Sequence, residues 1–404
     1  MSVTTSSDLD GLLKRNYGKD FTDQQQLVAD FLETIPAGSE KPMGESGAII
    51  FGAGIQNRQN GGAQRQATQF RANETGVKKQ FTIPSRIQIW SGEITNFAVA
   101  ISENDTAAFA SGLDREMKEA LTMAKKDANR QLFGSAIGQL CKVNGALISS
   151  TALVVNTPDA QYLFPGMRID VWTAVAGTKE ADNVQISSIS DDGLTVTLAT
   201  AVTVSNASII VRAGVLDGVA STDDAMEWMG LEGLSDDNTL FTNIQGLSRS
   251  TYPILKGSIT DAASGALTAD ILQKAMDKVE RKSGKNVDMI VSHRNQRRQY
   301  LSLAIPQKRF MNDKLDMGFQ TLDYNGIPWL VSHECQKSAV YVYNKASVRK
   351  WVTKALALDN TDGQVTHKIP RTDTFEFYYK SYLAVGTYQP NAVGRIKSLA
   401  TLAE

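Results

Sequence analysis

Along residues 104–134, NDTAAFASGLDREMKEALTMAKKDANRQLFG, apolar and small side chains return every three or four positions. Phe109, Leu113, Met117, Leu121, Ala124, Ala128 and Leu132 thereby share one stripe of a helix. Asp114, Arg115, Lys118, Glu119, Lys125, Lys126 and Arg130 take mostly the other faces. Asn104 or Asp105 supplies an N-cap, and Gly134 is expected to end the helix in a left-handed turn. From Thr106 to Phe133 this predicts about 28 residues, roughly 42 Å of helix at 1.5 Å per residue. One apolar stripe without further heptads describes a strut rather than a coiled coil, with Gly112 as a place to kink or weaken its start.

Upstream, residues 1–20 are polar and aperiodic and read as an extended arm. Thr22 and Gln25 resemble a capping box, after which Leu27, Val28, Phe31, Leu32 and Ile35 form one helical face closed by Pro36. AIIFG (48–52) is a short apolar strand. The following stretch, GIQNRQNGGAQRQATQFRANETGVKKQFTIP, is rich in Gln, Asn, Gly and Arg and too poor in apolar groups for a core of its own. It lies between Ala48–Gly52 and a second strand-like segment, Ile87–Ala100, which are expected to pair. A polar ribbon held by strands at both ends is a projecting hairpin; the alternative is a disordered surface loop.

After the strut the pattern switches to period two. From about Cys141 to Ala213 charges thin out, and Val, Ile, Thr and Ser alternate between Pro-Gly and Asp-Asp-Gly turns. Met167, Ile169 and Val171 face one way and Arg168, Asp170 and Trp172 the other. Five or so short strands in this span predict a small antiparallel barrel or sandwich inserted into a larger fold. The remainder mixes helices and strands. Thr268 caps a helix whose buried face is Ile271, Leu272, Ala275, Met276 and Val279, with Gly284 beyond its end. Val287–Ser292 is a buried strand, Asn295–Ala304 a helix, and Asn325-Gly326 a hairpin turn between LDY and IPW. AVYVYN and the alternation of Phe375, Phe377 and Tyr379 are further strands, the latter pattern running on through TYQPNAVGRIKSLA. The fold class is α+β with an all-β insert.

Composition narrows the function. At 404 residues two or three domains are expected, and 42 basic against 43 acidic residues leave a net charge of −1, so charge alone does not argue for wrapping nucleic acid. Cys141 and Cys335 are far apart, which suits a reducing cytosol and gives no disulfide framework. MSVTTSSDLDG carries no basic region followed by an apolar run, so no signal peptide is expected, and no apolar run is long enough to span a bilayer.

No catalytic constellation emerges. His293, His333 and His367 lack metal-ligand spacing, and His333-Glu334-Cys335 has no CxxC or HExxH context. Gly52-Ala53-Gly54 follows a strand, but Asn57 stands where a dinucleotide fingerprint needs Gly and no helix pattern follows. Lys278, Arg281, Lys282 and Lys285, with Arg294, Arg297 and Arg298, could touch phosphate, although a solvated helix face or inter-subunit ion pairs fit the run better. The expectation is a protein without enzyme activity, cofactor or metal.

An arm, a polar hairpin, a long strut and a two-part body suit contacts between copies of one chain. Their order resembles the major capsid proteins of tailed bacteriophages, the Hong Kong 97 fold. LDREMKEALTMAKKDANRQLFG resembles the spine helix, GGAQRQATQFRANETGVKKQFTIP the extended hairpin or E-loop, LDYNGIPWLVSHEC and AVYVYNKASVRKWV the axial domain, and YKSYLAVGTYQPNAVGRIKSLA the closing peripheral strands. The resemblance implies an arm at 1–46, strands and E-loop at 47–90, and a peripheral domain with the spine helix at 91–140. The β insert follows at 141–213, a connection and axial domain at 214–370, and closing peripheral strands at 371–404.

The implied function is a shell: hexamers and pentamers of an icosahedral capsid around double-stranded DNA, assembled in the host bacterial cytoplasm and found in the virion. Implied partners are the chain itself, a portal protein, packaged DNA through non-specific contact, and a separate scaffolding or decoration protein, with no membrane. Because the sequence starts at Met1, any scaffold is expected to be a separate protein unless the arm itself guides assembly. Inter-subunit contact is assigned to Arg58, Arg65, Arg71, Lys78 and Lys79 of the hairpin. A covalent Lys–Asn cross-link, known in some of the family, would draw on Lys78 or Lys79 and Asn391 and is not favoured. The alternatives are an encapsulin-like compartment, disfavoured by the insert and the length, and an enzyme, for which no motif speaks.

Overall fold

The computed structural model describes residues 31–43, 47–57, 75–96, 106–156, 159–174, 177–216, 227–308, 322–360 and 364–402. In chain order its first elements are helix α1 (Phe31–Thr34), strands β1 (Pro42–Met43), β2 (Ala48–Gln56), β3 (Val77–Ile83) and β4 (Arg86–Thr95), and the long helix α2 (Thr106–Phe133). Strands β5 (Gln139–Lys142), β6 (Leu147–Val154), β7 (Arg168–Trp172), β8 (Lys179–Ile189), β9 (Thr195–Val204) and β10 (Ile209–Arg212) follow. Next come α3 (Leu231–Leu234), β11 (Asn243–Ile244), β12 (Leu247–Ser248), β13 (Ser258–Asp261), α4 (Ala269–Ser283), β14 (Met289–Ser292) and α5 (Arg294–Lys308). The chain ends with β15 (Leu322–Tyr324), β16 (Ile327–Val331), β17 (Val340–Tyr343), β18 (Val348–Leu358), β19 (His367–Lys368), β20 (Thr374–Thr387) and β21 (Val393–Lys397). Contacts divide this chain into two compact units.

The first unit comprises Met1–Leu32, Arg86–Asn129 and Val352–Leu383. The helix foreseen from periodicity is present with the foreseen bounds, and it runs through Gly112 without a break. The side chains of Phe109 and Leu113, the cap at Asn104–Asp105 and all of residues 1–30 lie outside the described residues. Farther along, Ala124 and Ala128 of the apolar stripe are buried, but so are Asp127 and Asn129 on its flanks. A one-stripe strut would leave these polar groups wet. They are tolerated because each has a partner: the Trp90 indole N–H donates to Asp127 (3.3 Å) and the Leu32 backbone N–H to Asn129 (3.3 Å).

Strand β4 pairs along its whole length with β20, from Arg86 opposite Leu383 to Thr95 opposite Thr374. This corrects two expectations. Ala48–Gly52 pairs not with the strand at 87–95 but with β3, which the polar reading had hidden inside the ribbon. The divide placed at 90/91 also falls inside β4. The alternation of Phe375, Phe377 and Tyr379 is real: Phe377 is fully buried, and Gly92 lies opposite it because any Cβ there would stand 2.4 Å from the Phe377 ring.

The second unit comprises Glu33–Ser85, Arg130–Trp351 and Ala384–Glu404. Helix α2 ends here, but Gly134 is not left-handed; Ala136 (φ 75°) and Gly138 (φ 79°) take that conformation instead. Strands β5-β10-β7-β8-β9-β6 form one antiparallel sheet, and the bridge between Val143 and Val155 joins its two edges. Its core is drawn wholly from its own residues, among them Leu140, Leu153, Ile169, Ile186, Val196 and Ile210. First and last strands are neighbours, with Val211 opposite Gln139. The outward-facing set of β7 is only partly wet. Trp172 joins Ile137, Ile209, Val211, Leu216 and Phe241 in a second cluster, and buried Asp170 accepts from Lys179, from the Asn183 N–H and from the Gly214 N–H.

A mixed sheet, β13-β21-β17-β14-β16-β15, completes this unit. Thr268 caps α4 by accepting from the Ile271 N–H (3.2 Å), and Gly284 closes it at φ 67°, as foreseen. The turn Asn325-Gly326 has both residues at positive φ, 51° and 77°, the geometry that joins β15 to β16. The C-terminal stretch divides in a way that periodicity could not show. The β20 ladder to β4 lies in the first unit, whereas β21 inserts between β13 and β17 of the mixed sheet.

Candidate inter-subunit surface

The ribbon is a hairpin of β2 and β3, with Ile49 opposite Ile83, Phe51 opposite Phe81, Ala53 opposite Lys79 and Gly54 opposite Lys78. Its root is apolar, with Ile49, Phe81 and Ile83 all buried. Farther out, Lys78, Lys79 and Gln80 are exposed in a row and face Gly54, Ala53 and Gly52 across the ladder. Of the five positions assigned to inter-subunit contact, Lys78 and Lys79 therefore stand on β3, exposed, and being adjacent they project to opposite faces. Arg58, Arg65 and Arg71 lie outside the described residues.

Sequence reasoning missed what fixes the root. Phe51 stacks on Trp351 with ring centroids 6.0 Å apart and meets Phe81 and Tyr388 edge-on at 5.5 and 5.1 Å. Residues 36–40, expected in the arm, run past this cluster and bond to Lys350 in both directions (Gly38 N–H to Lys350 C=O, 2.8 Å; Lys350 N–H to Pro36 C=O, 3.1 Å). The Glu40 carboxylate then accepts from the Trp351 indole (2.8 Å) and the Tyr388 hydroxyl (2.6 Å). Burial would raise the Glu40 pKa, but the bonds from Tyr388 and Trp351 outweigh it and hold the group below its usual range. No short motif marks Glu40.

The first unit carries a second exposed surface. On β4, Ile87 and Ile89 are 66% and 54% exposed, two large apolar side chains on the same face of the strand. Across the ladder from them stand Tyr382 and Lys380, and Lys380 and Lys354 both reach Asp359. Four residues beyond Ile89, Glu93 faces Glu376, a like-charged cross-strand pair, with His367 on the other side of Glu376. Tyr378 reports that field: its hydrogen bond to Glu376, then burial and the two carboxylate charges, push its pKa up to about 12. Apolar and acidic groups thus share one face of this strand pair.

Other sequence candidates are scattered. His293 and His333 lie side by side (centroids 5.6 Å) and His367 in β19; among the described residues no group of His, Cys, Asp and Glu could hold a metal. Lys278 and Lys282 donate to the backbone carbonyls of Ile259 and Gly257, while Arg281, Arg294, Arg297 and Arg298 are exposed. Asn391 is buried, its amide donating to the Lys282 carbonyl (3.0 Å). No described helix is long and apolar enough to cross a membrane.

No family model and no curated protein matches the sequence. Solved structures do. A chain of the cyanophage A-1(L) capsid asymmetric unit is 12% identical, with a TM-score of 0.60 over 96% of this chain and 97% of that one. A chain from Gordonia phage Cozz is 10% identical, with a TM-score of 0.50 over 97% and 93%. Sequence identity this low speaks to architecture, and near-complete coverage of both partners means the likeness is to the whole chain: this protein has the fold of a bacteriophage capsid chain.

Proposed function

We propose that this chain is the major capsid protein of a tailed phage, building hexamers and pentamers of an icosahedral shell around double-stranded DNA. The observation that carries the reading is the likeness to the cyanophage A-1(L) capsid chain over 96% of the residues. The order of parts supports the Hong Kong 97 arrangement: the N-terminal segment 36–43, hairpin, long helix, β insert, mixed sheet, closing strands. Mechanism here is geometry. Among the described residues the hairpin buries only Ile55 beyond its root, and its lysines complement the Ile87–Ile89–Glu93 strip of a neighbouring copy, where Glu376 adds a second carboxylate. Each such contact is weak, about 0–1 kcal/mol when exposed, and closure of the shell multiplies it. DNA is held by non-specific charge, with a portal protein and a separate scaffold or decoration protein as further partners and no catalytic role. Electron microscopy of purified particles tests the reading: closed icosahedral shells containing nucleic acid support it, whereas shells loaded with an enzyme would favour an encapsulin-like compartment. Monomers at every concentration and salt would overturn both.

A further inference from the structure

We propose that residues 36–43 form a releasable strap that locks the root of the hairpin, with Glu40 as its latch. Three contacts converge there. The strap adds β1 as a third strand beside β2 (Pro42 opposite Ile49, Met43 opposite Ala48). Its backbone bonds Lys350 through Pro36 and Gly38, and Gly38 packs so tightly that a Cβ would sit 1.9 Å from the Trp351 indole nitrogen. Glu40 joins the two aromatic donors, Trp351 and Tyr388, whose rings stand perpendicular (90°, centroids 5.9 Å) and both pack on Phe51 of β2.

One carboxylate therefore ties three chain segments distant in sequence: the strap, the residues around 351 and those around 388. Trp351 is only 3% exposed, so without Glu40 its indole N–H is left buried without an acceptor. The Arg349 guanidinium lies over the Tyr388 ring (5.7 Å). While the strap is seated, β2 cannot turn about its root, because β1 and the aromatic cluster move with it. Release of 36–43 is the step that frees the hairpin. The inference concerns the free subunit and stands whether or not the chain builds a shell.

The test is hydrogen–deuterium exchange on the full-length free chain. Glu40→Ala should raise exchange across 48–56 and 77–83 at least tenfold while 139–212 stays unchanged, and Gly38→Ala should give the same pattern. Glu40→Gln keeps one acceptor oxygen and should fall between Glu40→Ala and the parent; if Glu40→Ala does not fold, this variant decides. Unchanged exchange in the hairpin strands, or an equal rise in the β5–β10 sheet, would overturn the latch.

Discussion

Arg249 and Asp236 form an ion pair in which neither side chain reaches solvent (0% and 0% exposed), with Nη1 3.3 Å from Oδ2. The guanidinium also donates to the carbonyls of Gly233 (2.7 Å), Phe241 (3.1 Å) and Asn243 (3.4 Å). Asp236 in turn accepts the N–H groups of Asn238, Leu240 and Phe241. The pair is thus the hub of an otherwise irregular segment running from α3 to β12. Burial lowers the Arg249 pKa to about 10, against the pull of Asp236 and Asp237. Breaking a buried pair from one side leaves a charge without compensation, typically costing about 3–5 kcal/mol. Arg249→Ala should lower the denaturant midpoint of the subunit accordingly. Arg249→Lys should recover less than half, since a point charge cannot span three carbonyls and a carboxylate. Equal stability of Arg249→Ala and the parent would remove the hub.

The β5–β10 sheet should fold alone, provided that the fragment keeps its ends. Its main core is self-contained, but Trp172, Ile209 and Val211 pack on Ile137, Leu216 and Phe241 outside it. A fragment starting at Cys141 also loses Gln139 and Leu140 from β5, and Leu140 is part of the main core. Residues 137–216 should therefore give a cooperative melt at a higher temperature than 141–213. A random-coil circular-dichroism spectrum for 137–216 would show that the sheet depends on its host.

Where local rules decide, the sequence was enough. The bounds of α2, the Thr268 and Gly284 caps and the Asn325-Gly326 turn follow from spacing, side-chain capping and permitted φ. Strand partnership does not follow from local pattern. Val77–Ile83 reads as polar ribbon because Lys78, Lys79 and Gln80 outweigh Phe81 and Ile83, and only the ladder to β2 makes it a strand. The burial of Asn129 and Arg130 is equally hidden, since a polar residue on a helix looks solvated until a distant partner appears; for Arg130 that is Glu227, bonded through the two terminal guanidinium nitrogens. The candidate surface shares this limit. Its lysines were visible as exposed charge, whereas Ile87, Ile89 and Glu40 acquire meaning only through strands paired across hundreds of residues.

Acid should loosen the β9–β10 turn before it unfolds the chain. Glu180 accepts from the Ser205 N–H and hydroxyl and from the Ser208 hydroxyl. Burial would raise its pKa, but these bonds prevail and lower it below 4.5. A carboxylate lowered on folding stabilises fully above its unfolded pKa, and that contribution is lost as pH falls through the folded value. The melting temperature of fragment 137–216 should drop as pH is lowered from about 5 to 3. Glu180→Gln should be less stable at pH 6 and show a shallower drop; an identical pH profile would exonerate Glu180.

Assembled particles should carry no covalent Lys–Asn joint through Asn391. Its amide is buried and already donates to the Lys282 carbonyl, so an incoming lysine would first have to break that contact and enter the turn at 390–392. Boiling particles in detergent should yield one monomer band. A ladder of multimers would reverse this expectation.

The hairpin beyond its root should be the first place at which a free subunit is cut. Lys78 and Lys79 are exposed on β3 opposite Ala53 and Gly54, which offer almost no side chain to shelter them. Opening of this end costs the ladder bonds and the burial of Ile55, whereas the root is held by Ile49, Phe81 and Ile83 together. In the proposed shell this end of the hairpin lies against the Ile87–Ile89–Glu93 strip of a neighbour, one of the two lysines turned toward it, and the segment becomes inaccessible. Trypsin should therefore cleave free subunits at Lys78 or Lys79, or at Arg58, Arg65 or Arg71, before any other site, and assembled particles should resist there. Replacing Arg65, Arg71, Lys78 and Lys79 by Ala should leave the melting temperature of the subunit within a few degrees, because exposed charges contribute about 0–1 kcal/mol each. Assembly yield should fall at least tenfold, and parent shells should weaken as salt screens the contacts. Charge reversal offers the sharper control: Glu93→Lys with Glu376→Lys should block assembly with parent hairpins and recover it when Lys78 and Lys79 are changed to Glu. Normal shells from the quadruple alanine variant, or no recovery from the paired reversal, would remove this contact from the mechanism.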